Sequence, residues 1–116
     1  MKNIVIVVAA GEGKRFGSKV PKQFLKIGKR EVLSLTIERF EHSLKIDGIL
    51  IATLKCYKAY VKEMVKKSKF KKIFAIIEGG RKRYDTVYKA IKFLKKYTPE
   101  NVLIHDGVRP VFDEKI

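Results

Sequence analysis

Residues Asn3 to Ala9 form a continuous apolar run, and the chain then passes at once into Ala10-Gly11-Glu12-Gly13-Lys14-Arg15. A short, unbroken apolar run fits a strand covered on both faces, as in the parallel sheets of α/β proteins. Lys2 and the apolar stretch resemble a very short signal peptide, but Gly-Glu-Gly-Lys-Arg stands where a cleavage region would follow. The run therefore reads as the buried first strand of a cytoplasmic protein.

The rest of the chain alternates in period. Val32, Leu33, Leu35, Ile37 and Phe40 recur near the helical repeat, which predicts a helix over 31–40. Gly48 to Thr53 is a second buried strand. Tyr57, Tyr60, Val61, Met64 and Val65 mark a second helix, Ile73 to Ile77 a third strand, Tyr84 to Leu94 a third helix, and Asn101 to His105 a fourth strand. The order β-α-β-α-β-α-β implies parallel strands joined by right-handed crossovers, hence an open three-layer α/β fold in one domain.

Charge narrows the choice of ligand. The chain holds 27 Lys and Arg against 12 Asp and Glu, a net charge of +15 over 116 residues. Of these cations 21 are Lys and only 6 are Arg. Bidentate base readout favours Arg, and most of the Lys fall on predicted helix faces, from Lys62 to Lys72 and from Lys89 to Lys96. No zinc finger, basic heptad or aromatic RNA-binding motif is present, so the charge reads as a solvated face that steers small anions, with no nucleic-acid partner expected. A single Cys, Cys56, excludes a disulfide framework. No apolar run approaches the roughly 20 residues of a membrane span, so no membrane partner is expected.

In open α/β sheets ligands bind beyond the carboxyl ends of the strands. Three of the four predicted strands run there into unusual sequence: Ala9-Ala10-Gly11-Glu12-Gly13-Lys14-Arg15, Glu78-Gly79-Gly80-Arg81-Lys82-Arg83, and His105-Asp106-Gly107-Val108-Arg109-Pro110. The first is a phosphate-type loop with Lys14, Arg15, Lys19 and Lys22 nearby. Phe16 replaces the third glycine of a dinucleotide fingerprint, and Gly11 to Ser18 lacks the Walker A spacing. That much positive charge suits a triphosphate.

These pieces, together with Pro21-Lys22-Gln23-Phe24, resemble the 2-C-methyl-D-erythritol 4-phosphate cytidylyltransferases and, closely behind, the ribitol-5-phosphate cytidylyltransferases. The resemblance implies a Rossmann-like nucleotidyltransferase fold, with residues 1–116 as its nucleotide-binding portion. It implies transfer of a cytidylyl group from CTP to a polyol phosphate, methylerythritol phosphate being preferred over ribitol phosphate, with release of pyrophosphate. By the same resemblance Arg15 and Lys22 are the catalytic cations. Ala9, Ala10, Gly11, Gly13, Gly80, Arg83, Thr86 and Asp106 bind CTP, Asp106 also ligates Mg²⁺, and Arg109 faces the acceptor. Thr86 stands where the family usually has Ser, so a hydroxyl is kept, whereas Arg81 and Lys82 replace a commonly acidic position. The resembled enzymes run about as long again and carry a dimerisation arm. The chain is thus expected to be an amino-terminal half, homodimeric if full length. Two other expectations stand beside this one: a noncatalytic nucleotide-binding fragment and a Lys-rich nucleic-acid-binding domain.

Overall fold

The computed structural model describes residues 2–10 and 21–107. Strand β1 (Asn3–Ala9) lies inside a four-stranded sheet with β4 (Gly48–Thr53), β5 (Ile73–Glu78) and β6 (Asn101–Asp106), in the order β5-β4-β1-β6. Every pairing in this sheet is parallel. Helix α1 (Val32–Glu41) joins β1 to β4, α2 (Lys58–Ser68) joins β4 to β5, and α3 (Arg83–Leu94) joins β5 to β6.

Alternation along β1 divides the core between two faces. Val5, Val7 and Ala9 pack with Leu33, Ile37 and Phe40 of α1 and Val61 and Met64 of α2. Ile4, Ile6 and Val8 pack with Ala90 and Leu94 of α3. This is why the apolar run is unbroken: both sides of β1 are covered, and Ile4 to Val7 are at most 1 % exposed.

The winding explains where a ligand can sit. From β1 the chain moves outward through β4 to β5, with α1 and α2 on one face. It then crosses to the other face through α3 and returns to the far side of β1 as β6. The strand order therefore reverses between β1 and β6, which makes the carboxyl ends of these two strands a topological switch point. The crevice at such a point is the ligand position of doubly wound sheets.

Two details differ from the sequence reading. Glu31 does not open the first helix: it pairs with Lys26 in a two-stranded antiparallel ribbon, β2 (Lys26–Ile27) and β3 (Arg30–Glu31). Gly28, at φ 68°, turns this ribbon. A ribbon so short has no hydrophobic period of its own, so only the Gly marks it. Asp106, expected just past the last strand, is its final residue. The charge expectation holds on the described helices. Lys62, Lys66, Lys67, Lys89, Lys92, Lys95 and Lys96 are all exposed, while Lys72 is half-buried and donates from Nζ to the Ser43 carbonyl at 2.6 Å.

Candidate active site

The carboxyl ends of the four parallel strands form a row. Register pairs Ala9 with Thr53, Thr53 with Glu78, and Val8 with Asp106. Of the residues expected in a site, Ala9, Ala10, Gly80, Arg83, Thr86 and Asp106 all fall on this edge. Gly11, Gly13, Arg15 and Arg109 lie outside the described residues, as do Lys14 and Lys19.

Close approach shapes the glycine loop. A Cβ on Gly79 would stand 2.3 Å from Ala10 Cβ and 2.8 Å from Thr86 Oγ1, and one on Gly80 would stand 2.3 Å from Asp85 Cβ. Neither glycine has a positive φ, so the constraint here is space rather than dihedral freedom. Gly79 N donates to Thr53 O at 2.8 Å, which carries the loop past the end of β5 and against β4.

Thr86 fastens this loop to α3. It is 1 % exposed; its Oγ1 accepts from Gly80 N at 2.9 Å and donates to Lys82 O at 3.3 Å. Asp85 accepts from Lys82 N at 3.3 Å, satisfying one of the orphan donors at the start of α3. The Thr86 hydroxyl is thus engaged with backbone.

Arg83 and Asp106 face each other across the switch point, with Nε donating to Oδ1 at 3.3 Å. Both side chains are partly exposed, at 58 % and 32 %. The Asp106 carboxylate is therefore within reach of a cation. A hard divalent ion such as Mg²⁺ often takes only one or two carboxylates when phosphate oxygens supply the remaining ligands. Asp106 fits that donor set. Among the described residues no group of three or more His, Cys, Asp or Glu gathers. The His105 ring meets Phe40 edge-on at 5.0 Å, and its Nδ1 lies 2.8 Å from the Asp106 carbonyl oxygen.

The Pro21-Lys22-Gln23-Phe24 segment reaches the same edge as a 3-10 turn over Lys22–Phe24. Gln23 is buried and its Nε2 donates to Ala9 O at 2.8 Å. Phe24 stacks on Tyr57 at 4.1 Å and meets Tyr60 edge-on at 5.5 Å. Two contributors were not assigned from sequence. One is Gln23, which was read only as part of a motif. The other is Thr53, whose Oγ1 also donates to Ala9 O, at 3.1 Å. The available signal for Thr53 is a lone hydroxyl closing an otherwise apolar strand.

Partial burial, and then the hydrogen bond from its phenol to Glu31, push Tyr60 up to about 12. A raised folded value favours the neutral phenol in the native state. This contribution to stability is complete below the ordinary value of 10.0 and is lost as pH climbs toward 12. Tyrosinate absorbance should therefore find Tyr60 ionising well above 10.0, and Glu31→Gln should lower its midpoint. A Tyr60 midpoint unchanged by Glu31→Gln would contradict the assignment.

A cavity of about 520 Å³ lies elsewhere, at the ends of α1 and α2, lined by Arg30, Glu38, Lys67, Lys69 and others. It mixes both charge signs and touches none of the strand-end residues.

An open sheet with a glycine-rich crevice at its switch point defines a Rossmann-like α/β domain of the nucleotidyltransferase type. Sequence comparison then fixes the family. A model of the 2-C-methyl-D-erythritol 4-phosphate cytidylyltransferase (IspD) family matches residues 3–116, and the chain belongs to that family. Proteins of that name from Lachnospira eligens and Clostridium botulinum are 37 % identical over 114 residues and 41 % identical over 109 residues. The matches cover 98 % and 94 % of this chain but 49 % and 47 % of those proteins. The crystal structure of 4-diphosphocytidyl-2C-methyl-D-erythritol synthase from Anaerococcus prevotii superposes with a TM-score of 0.77 at 27 % identity, covering 98 % of this chain and 46 % of that one. The chain thus spans about half the length of the relatives it matches. Among the described residues no helix is long and apolar enough to cross a membrane.

Proposed function

We propose that the chain supplies the nucleotide half of a cytidylyltransferase that transfers CMP from CTP to 2-C-methyl-D-erythritol 4-phosphate. The observation that carries this reading is the convergence of Ala9-Ala10, Gly79-Gly80, Arg83 and Asp106 on the switch-point crevice, in a chain of this family. A phosphate oxygen of the polyol attacks the α-phosphorus of CTP, the bond to the bridging oxygen breaks, and pyrophosphate leaves with that electron pair. The protein's share in such chemistry is positioning and stabilisation of spreading negative charge. Lys22 and Arg15 supply positive charge at the α-phosphate. The Gly79-Gly80 backbone meets the flat base, held in place by Thr86. Asp106 would hold Mg²⁺, which would neutralise phosphate charge, and Arg109 is assigned to the acceptor. The family match and the relatives' names support methylerythritol phosphate over ribitol phosphate as acceptor. A cytoplasmic location and a homodimer belong to the same proposal.

A second reading is nucleotide binding without transfer. Both readings predict that CTP with Mg²⁺ protects this chain against thermal unfolding and that ATP does not. At a ligand concentration 100 times Kd the gain is about 2.7 kcal/mol, several degrees in melting temperature. Equal protection by ATP would refute the base assignment, and no protection by either would refute nucleotide binding. Pyrophosphate release on adding the polyol phosphate separates transfer from binding alone.

A further inference from the structure

Gln23 stands out among the polar groups of the molecule. It is 2 % exposed, yet it sits in a single three-residue 3-10 turn rather than in the sheet or an α-helix. A buried amide donor left without a partner costs about 1–3 kcal/mol. Here Nε2 ends on Ala9 O, the carbonyl that closes β1 and also receives Thr53 Oγ1. Two donors occupy the two lone pairs of that oxygen, so the peptide between Ala9 and Ala10 has a single orientation.

The other side of the turn is fixed independently. Pro21 is buried, and its carbonyl accepts from Phe24 N at 3.0 Å. Phe24 is 4 % exposed and held by Tyr57 and Tyr60. The backbone of Lys22 therefore lies between two buried residues, and the Gln23 amide ties the turn to the end of β1.

We propose that Gln23 is a positioning residue for the nucleotide site. It locks the Lys22 backbone to the Ala9-Ala10 strand end, so that the lysine and the strand-end peptide meet the same triphosphate. This inference rests on the reading of CTP as ligand. Phe24 supplies the apolar anchoring of the turn; Gln23 supplies its registry with β1.

The experiment is a double-mutant cycle on CTP affinity, measured by calorimetry with Mg²⁺ on the same chain. Each variant is used at a temperature where circular dichroism finds it folded. Gln23→Met keeps length and removes the donor. Lys22→Ala and Gln23→Met should each weaken CTP binding about tenfold, and the double variant should also be about tenfold weaker rather than a hundredfold. Gln23→Glu, a near-isostere whose carboxylate cannot donate to a carbonyl, should weaken binding at least as much and serves where Gln23→Met does not fold. Ile37→Val, in the α1 core away from this turn, should lower the melting temperature while leaving CTP affinity within about twofold, the behaviour of a residue that only packs. Losses that multiply in the double variant would overturn the proposal, as would tenfold weakening by Lys22→Ala with none from either Gln23 variant. If Lys22→Ala binds CTP as the unsubstituted chain does, Gln23 has nothing to position and the proposal falls alone. If the unsubstituted chain does not bind CTP, the functional reading falls and takes this inference with it.

Discussion

Lys22→Ala is expected to lower kcat/KM for pyrophosphate release from CTP and methylerythritol phosphate by about 10²–10³-fold, the usual loss for one transition-state charge donor. About tenfold of this should appear as weaker CTP binding and the remainder in turnover, because negative charge builds on the bridging oxygen beside the α-phosphorus as the leaving bond breaks. Lys22→Arg should recover only part of the rate. A planar guanidinium is longer and forked, whereas an ammonium is a compact point charge. The measurement is a coupled pyrophosphate assay on the full-length protein carrying this segment. A Lys22→Ala enzyme turning over within about threefold of the unsubstituted one would remove Lys22 from the chemistry.

Gly79→Ala should weaken CTP binding by more than about tenfold and destabilise the chain by about 1–3 kcal/mol, the range for overpacking a filled site. The added methyl would fall 2.3 Å from Ala10 Cβ and 2.8 Å from Thr86 Oγ1. Neither neighbour can yield easily. Ala10 is 7 % exposed at the end of β1, and Thr86 is buried with its hydroxyl bonded to Gly80 and Lys82. Relief must come from moving the Gly79-Gly80 backbone, which also forms the bond from Gly79 N to Thr53 O. Calorimetry with CTP and a urea titration of the same sample read the two effects together. Unchanged affinity in the alanine variant would mean that the glycine loop does not bear on the ligand.

The framework of this fold is visible in the sequence because burial leaves a periodic trace. The runs at Asn3–Ala9 and Gly48–Thr53 mark interior strands, and the repeats at Leu33, Ile37 and Phe40 or Val61 and Met64 mark helix faces turned toward them. The site was legible as three glycine-bearing strand ends that the alternation of elements must bring to one edge. Pairings were not legible, since they depend on geometry that carries no period. Nothing in the order of residues announces that Arg83 meets Asp106, that Gln23 and Thr53 share the Ala9 carbonyl, or that Thr86 is engaged with backbone. The ribbon at Lys26–Ile27 and Arg30–Glu31 escaped for the opposite reason: two residues per strand are too few to write a pattern.

The pairing of β1 with β6 joins Asn3 to Asn101, and an Asn101 Nδ2 bond to Asn3 Oδ1 at 2.8 Å repeats the link in side chains. A chain emerging from the ribosome makes β1 first and its neighbour β6 only after β4 and β5. Closing so long a loop is entropically slow, and the crevice wall bearing Asp106 does not exist until the loop has closed. The strand edge bearing Asp106 is therefore assembled only once β6 has been made, and on the proposed function a nascent chain stalled before β6 should emerge with its first strand half-paired and blind to CTP.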